Sequence, residues 1–128
     1  DLKNVSQVNN ESYDCIILTQ VLGMIDDLDK VVSECYRMLK KGGVLLVTSS
    51  SISPAIDTDL SYWRFTSASM RYILEKKFKR NSVVVNSYGN VYTGQAFWVG
   101  AVIEDIAQDL LTVNDPQYPI IITGYAKK

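Results

Sequence analysis

Residues 14–48 read as an apolar run, an amphipathic helix and a second apolar run, and this order constrains the fold more than any other feature. The run DCIILT at 14–19 is apolar on both faces, as expected of a strand buried in a parallel sheet. Asp26 or Asp27 can cap a helix whose apolar positions Leu28, Val31, Val32, Cys35, Met38 and Leu39 fall on one stripe. Asp29, Lys30, Glu34 and Arg37 form the opposite stripe and read as a solvated face. The run VLLVT at 44–48 is a second buried strand. Strand, helix and strand with short connections make a βαβ unit, for which a right-handed crossover is expected.

Gly42 and Gly43 are the only adjacent glycines. A dinucleotide-binding loop places its glycines after a strand and ahead of a helix, where backbone N–H groups can face a phosphate. Here the helical period precedes the glycines and the strand follows. The pair therefore reads as a helix C-cap, with Lys40 and Lys41 complementing the helix dipole.

Residues 49–65, SSSISPAIDTDLSYWRF, are too long and polar for a routine turn and point to a functional or mobile segment. Thr66 can cap a helix with Met70, Ile73, Leu74 and Phe78 facing inward. Lys76, Lys77, Lys79 and Arg80 then form its cationic, solvated end. A third strand is expected at 82–88 and a fourth at 119–126, with one apolar helix over 91–111 between them. Asn90 suits either the cap of that helix or a ligand contact at the strand end. Tyr92, Phe97 and Trp98 read as core or as an association surface.

Composition narrows the chemistry. With 128 residues and 47% apolar content, the chain can bury one core, so a single domain over 1–128 is expected. The absence of histidine excludes His-based triads, His-ligated zinc and imidazole general bases. No metal site is expected. A formal net charge of −1 argues against a nucleic-acid or acidic-membrane partner. The longest apolar run, at 96–103, is too short to span a bilayer. Cys15 and Cys35 sit in apolar periodic segments without a CxxC pair, so both read as buried thiols of a reducing compartment, and a cytoplasmic location is expected.

The ordered phrase SYDCIILTQVLGMIDDLDKVVSECYRMLKKGGVLLVTS, followed by YWRFT, resembles the class I S-adenosylmethionine-dependent methyltransferases, in particular a bacterial subgroup with a YWRFT-like segment. The phrase corresponds to strand four, its helix and strand five of that family, and the remainder to strand six, a helix and an antiparallel strand seven. The resemblance implies an α/β, Rossmann-like fold, present in part as strands four to seven of the order 3-2-1-4-5-7-6. It implies the carboxyl-terminal portion of a single methyltransferase domain, because the family's glycine-rich loop and ribose-binding acid have no counterpart in this sequence. The cofactor implied is S-adenosylmethionine in the complete domain.

By the same resemblance, Asp1 and Leu2 correspond to the adenine-edge segment, and Thr19 and Gln20 to positions closing over the methionine part of the cofactor. Met24 stands where many members carry histidine. Asp57 and Asp59, in the long connection, are candidates to take a proton from a hydroxyl acceptor. Tyr62, Trp63 and Arg64 are candidates for a substrate wall, Trp and Tyr as stacking faces and Arg as a fork for a carboxylate, phosphate or sugar hydroxyls. The bland alternatives stay open: Trp63 and Phe65 as anchors on the sheet, and Arg64 paired with Asp57 or Glu75. The acceptor expected is a small molecule or glycan-type group, and this chain alone is expected to be inactive. The competing expectation is a non-catalytic remnant that binds no cofactor. Such a chain would self-associate as a homodimer through an exposed sheet edge or helix faces.

Overall fold

In the computed structural model, residues 2–55 and 60–128 are described. Four strands, β1 (Tyr13–Thr19), β2 (Leu39–Ser50), β3 (Val83–Tyr88) and β4 (Ile121–Lys127), form one sheet in the order β1-β2-β4-β3. β2 pairs in parallel with β1, and β4 runs antiparallel between β2 and β3. This is the expected α/β arrangement with an antiparallel last strand.

Helix α1 (Leu28–Met38) starts where Asp27 accepts a hydrogen bond from the Lys30 N–H. Its buried residues Leu28, Val31, Val32, Cys35 and Met38 are the predicted stripe. Helix α2 (Ser67–Glu75) opens on a reciprocal cap between Thr66 and Ser69 and buries Met70, Ile73 and Leu74. Both helices share one core with Leu18, Leu45, Val47, Phe65, Phe78 and Ile122. Beyond α2, Lys76 pairs with Asp29 at 2.6 Å and lies 4.9 Å from the Tyr72 ring centre, so this one residue of the cationic end bridges the two helices.

Several expectations are corrected. The Gly-Gly pair is not a helix C-cap: α1 ends at Met38, Leu39 already has extended backbone, and both glycines lie within β2. Cα pairing jumps from Tyr13↔Leu39 to Cys15↔Val44, so residues 40–43 form a bulge in the ladder. Gly42 takes a φ of 79°, and its N–H donates to the Lys128 carbonyl at 3.0 Å while Gly43 accepts from the Lys128 N–H. Arg37 is not simply solvated. It is half-buried and donates to the carbonyls of Val5 and Val8, to Asn10 and to Glu34, clipping the amino-terminal segment onto α1.

The helix expected over 91–111 is broken. Helix α3 (Val91–Val99) stops at Gly100, which adopts a φ of 69° and donates to the carbonyls of Ala96 and Phe97. A short helix α4 (Gln108–Thr112) follows. Asn90 is a cap, as one of its two readings held: its side chain accepts from the Thr93 N–H and donates to the carbonyls of Leu110 and Val113, and the residue is buried. A single amide thus fixes both the start of α3 and the return of the chain after α4. Phe97, Trp98 and Tyr92 are exposed, so they are not core.

β1 is not buried on both faces. α1 and α2 cover one face of the sheet, whereas Ile17, Leu46, Tyr125 and Val84 on the other are exposed. Cys15 is likewise exposed, and only Cys35 behaves as the buried thiol expected of both. Among the described residues, no helix is long and apolar enough to cross a membrane, and no group of His, Cys, Asp or Glu side chains could hold a metal.

Two outcomes follow from this packing. A Cβ at Gly124 would lie 2.7 Å from Val47 Cγ1 and 2.9 Å from Leu74 Cδ1, where β4 passes beneath α2. Gly124→Ala should therefore lower the denaturant-derived unfolding free energy by about 1–3 kcal/mol through overpacking. Burial pushes the Cys35 thiol up from 9.0 to about 11, with the Glu34 charge adding to it. Because the folded chain keeps a proton that the unfolded chain has lost, this contribution is present below pH 9 and disappears as pH rises toward 11. The thermal midpoint should fall across that window, and Cys35→Val should remove part of the fall.

Candidate functional site

The parallel strands β1 and β2 end side by side at Thr19 and Ser50, and their carboxyl ends open on a cleft of about 810 Å³. A crevice outside the carboxyl ends is where an open α/β sheet places a ligand. The two strand tips are tied together there. The Gln20 N–H donates to the Thr48 carbonyl at 2.9 Å, extending the ladder by one residue. The Ser50 hydroxyl donates to the Gln20 Oε1 at 2.8 Å. Gln20 holds a φ of 57°, a left-handed conformation costly for a residue with a Cβ, and strain of this kind concentrates at functional positions.

The long connection crosses the mouth of this cleft. The N–H groups of Tyr62 and Trp63 both donate to the Gly23 carbonyl, at 3.0 and 3.1 Å, and the Trp63 indole N–H donates to the Ile25 carbonyl at 2.7 Å. The Phe65 N–H donates to the Ser50 carbonyl, returning the strap to β2. Arg64 directs its guanidinium at backbone: Ser53, Pro54 and Trp63 carbonyls accept from it at 3.0–3.3 Å. Its alternative partner Glu75 is engaged by Arg71 instead. Arg64 is therefore a clip that shapes the loop, and it is the one charged side chain among the described residues lining the cleft.

The structure brings together some of the predicted residues and separates others. Gln20, Trp63 and Arg64 line the cleft. Tyr62 is half-exposed and lines none of it, contributing its backbone only. Thr19 faces the open side of the sheet beside Thr48. Leu2 packs against the core cluster. Asp1, Asp57 and Asp59 lie outside the described residues. Phe65, raised as an anchor, is that: it is 2% exposed.

Residues that sequence reasoning missed complete the wall: Ser50, Ile52, Phe97, Ile120 and Ile121, together with Met24, noted earlier only for the histidine it replaces. Phe97 gets there because the Asn90 cap starts α3 two residues beyond β3, and the exposed ring stacks edge-on against Trp98 at 5.6 Å. The signal available was the strand-cap-helix order at 83–91, which puts the start of α3 at the same sheet edge as Gln20.

The lining is mostly apolar, with the Gln20 carboxamide and serine hydroxyls as its neutral polar groups. Such a wall suits a partly apolar ligand held by contact and a few directed hydrogen bonds. The described residues present no carboxylate to this cleft.

A family model described as a methyltransferase domain matches residues 1–47. A search of curated proteins finds no match. Solved structures share the fold. A SAM-dependent methyltransferase from Archaeoglobus fulgidus is 16% identical with a TM-score of 0.66, over 99% of this chain and 64% of that one. A possible histamine N-methyltransferase from Thermotoga maritima is 17% identical with a TM-score of 0.64, over 99% and 61%. Haemonchus contortus phosphoethanolamine N-methyltransferase 2, solved with S-adenosyl-L-methionine, is 17% identical with a TM-score of 0.60, over 93% and 34%. The present chain thus spans less than two-thirds of the length of these proteins.

If Arg64 acts as a loop clip, Arg64→Ala should speed hydrogen exchange at Tyr62 and Trp63, whose N–H groups donate to Gly23, at least tenfold and leave the global unfolding midpoint within about 1 °C. Unchanged exchange at those amides would show that the loop holds its shape without it. Residues 1–47 are thus similar to a methyltransferase domain, and the chain shares its fold with solved methyltransferases over nearly its whole length.

Proposed function

We propose that this chain forms the acceptor side of a methyl-transfer site working on a small-molecule or glycan-type acceptor. The observation that carries the reading is the cleft itself: the tips of two parallel strands locked together by Gln20 and Ser50, beneath a strap that presents Trp63. When bound, S-adenosylmethionine supplies an electrophilic methyl group on a sulfonium.

The residues of the chain have a positioning task. In-line displacement gains most from holding the acceptor about 3 Å from the methyl carbon with orbitals aligned. Trp63 and Phe97 offer flat apolar faces for that purpose, and the Gln20 amide, held by Ser50, offers a fixed polar group. Asp57 and Asp59 are proposed to take the proton of a hydroxyl acceptor. Their described neighbours in sequence, Pro54 and Leu60, line the cleft, which supports the assignment.

Because this chain is proposed to supply one side of the donor site only, the isolated chain is proposed to bind the donor weakly and to turn over no acceptor. Chemical-shift mapping with S-adenosylhomocysteine at millimolar concentration tests this. Shifts should centre on Gln20, Met24, Ser50 and Phe97, and calorimetry should detect no micromolar binding. Shifts elsewhere would overturn the site, and micromolar affinity would overturn the claim that this chain grips one side only.

A further inference from the structure

A second cavity, of about 520 Å³, lies between the start of α1, the strap at 63–65 and α2. It shares Trp63 and Arg64 with the cleft at the strand tips, and its other lining residues are different. Leu28, Phe65 and Ile73 form its floor, and all three belong to the core beneath the helices. Its walls therefore come from elements on the helix-covered side of the sheet, and its shape owes nothing to the open face.

Two aromatic rings flank the floor, Trp63 at 44% and Tyr72 at 65% exposure. The Trp63 indole N–H is already taken by the Ile25 carbonyl at 2.7 Å, so what this side chain offers a ligand is its ring. Around the rings stand three carboxylates, Asp26, Asp27 and Asp29, against two cations, Arg64 and Lys76. Arg64 is engaged by the carbonyls of Ser53, Pro54 and Trp63, Lys76 by Asp29, and Asp26 by Lys3 at 2.8 Å. Asp27 accepts from the Lys30 N–H and forms no ion pair among the described residues. One carboxylate is thus in excess beside the aromatic faces.

Lys76 shows what such groups take. Its Nζ lies 2.6 and 2.7 Å from the two Asp29 oxygens and 4.9 Å from the Tyr72 ring centre, seating an ammonium between a carboxylate and an aromatic ring at the rim of the cavity.

We propose that this cavity binds a small organic ammonium ion with an apolar body, its charge beside Asp27 and its body against Trp63 and Tyr72. The volume falls in the range of roughly 300–1,000 Å³ typical of small-molecule pockets. Charge complementarity selects the sign. An anion meets the excess carboxylate, and a neutral molecule forgoes both the ion pair and the attraction of a cation to the ring faces. The site is separate from the methyl-transfer cleft, and the failure of either reading leaves the other intact.

Titrating the isotope-labelled full chain with benzylammonium chloride, at fixed ionic strength and millimolar concentrations, should give saturable chemical-shift changes centred on Asp27, Leu28, Tyr72 and the Trp63 indole N–H. Benzyl alcohol should bind at least fivefold more weakly, and benzoate should give no saturable change. Asp27→Asn retains a side chain that caps a helix as well as Asp does, and Tyr72→Leu keeps an apolar residue at an exposed position. Each should weaken benzylammonium binding at least fivefold, with circular dichroism verifying the fold. Equal affinity for benzyl alcohol would overturn the proposal, because the cavity would then select apolar bulk and not charge. So would changes centred on Gln20 and Ser50, which place the ligand in the other cleft, or changes that never saturate.

Discussion

The twelve-residue strand β2 is hydrogen-bonded on both sides, in parallel to β1 and antiparallel to β4, and the position of every other part is set by this double pairing. Its parallel side brings the tips of β1 and β2 to the same edge, which creates the cleft. Its antiparallel side sends the last strand back through the middle of the sheet and leaves β3 at the far edge, so that α3 also starts at the cleft. Side chains alternate along β2, and that alternation decides what is buried: Leu45 and Val47 reach the helices, while Leu46 points the other way into the open face.

The one-sided burial has consequences for both energetics and function. One layer of helices over four strands leaves this chain with a core of moderate size that several local devices reinforce. Asn90 satisfies two carbonyls and one N–H while fully buried, Arg37 clips the amino-terminal segment, and Lys128 binds the Leu39 carbonyl beside the Tyr36 ring. Among the described residues, no buried side-chain nitrogen or oxygen is left without a hydrogen-bond partner. Polar satisfaction at that level keeps a small core from carrying desolvation costs that its apolar area could not offset. The cleft follows a different logic, since its wall is apolar yet open and its strained residue is Gln20.

Sequence reasoning recovered α1 and α2 with their caps because each rests on neighbours three or four residues apart, a spacing that the chain itself displays. It failed where a distant partner decided the outcome. The Gly-Gly pair lies in a bulge because Lys128 supplies its hydrogen bonds from the other end of the chain. The apolar run at 91–111 is cut at Gly100, and only the contact of Asn90 with Leu110 and Val113 shows why the chain turns back. Of the site residues, Gln20, Trp63 and Arg64 were visible through the family phrase, whereas Ser50 and Phe97 were not, since their roles depend on which strand ends lie side by side.

By itself the sequence determined the local elements and which side chains are available for chemistry. Without histidine and with an almost neutral charge, it excluded imidazole catalysis and gave no ground for nucleic-acid binding, and its hydrophobic period specified a strand-helix-strand unit. Tertiary structure alone decided which face of each strand is covered, which strand tips share a cleft, and that Arg64 serves the loop's backbone. The physical reason is that period and propensity act over a few residues, whereas burial and hydrogen-bond partnership are settled by segments as far apart as Leu39 and Lys128.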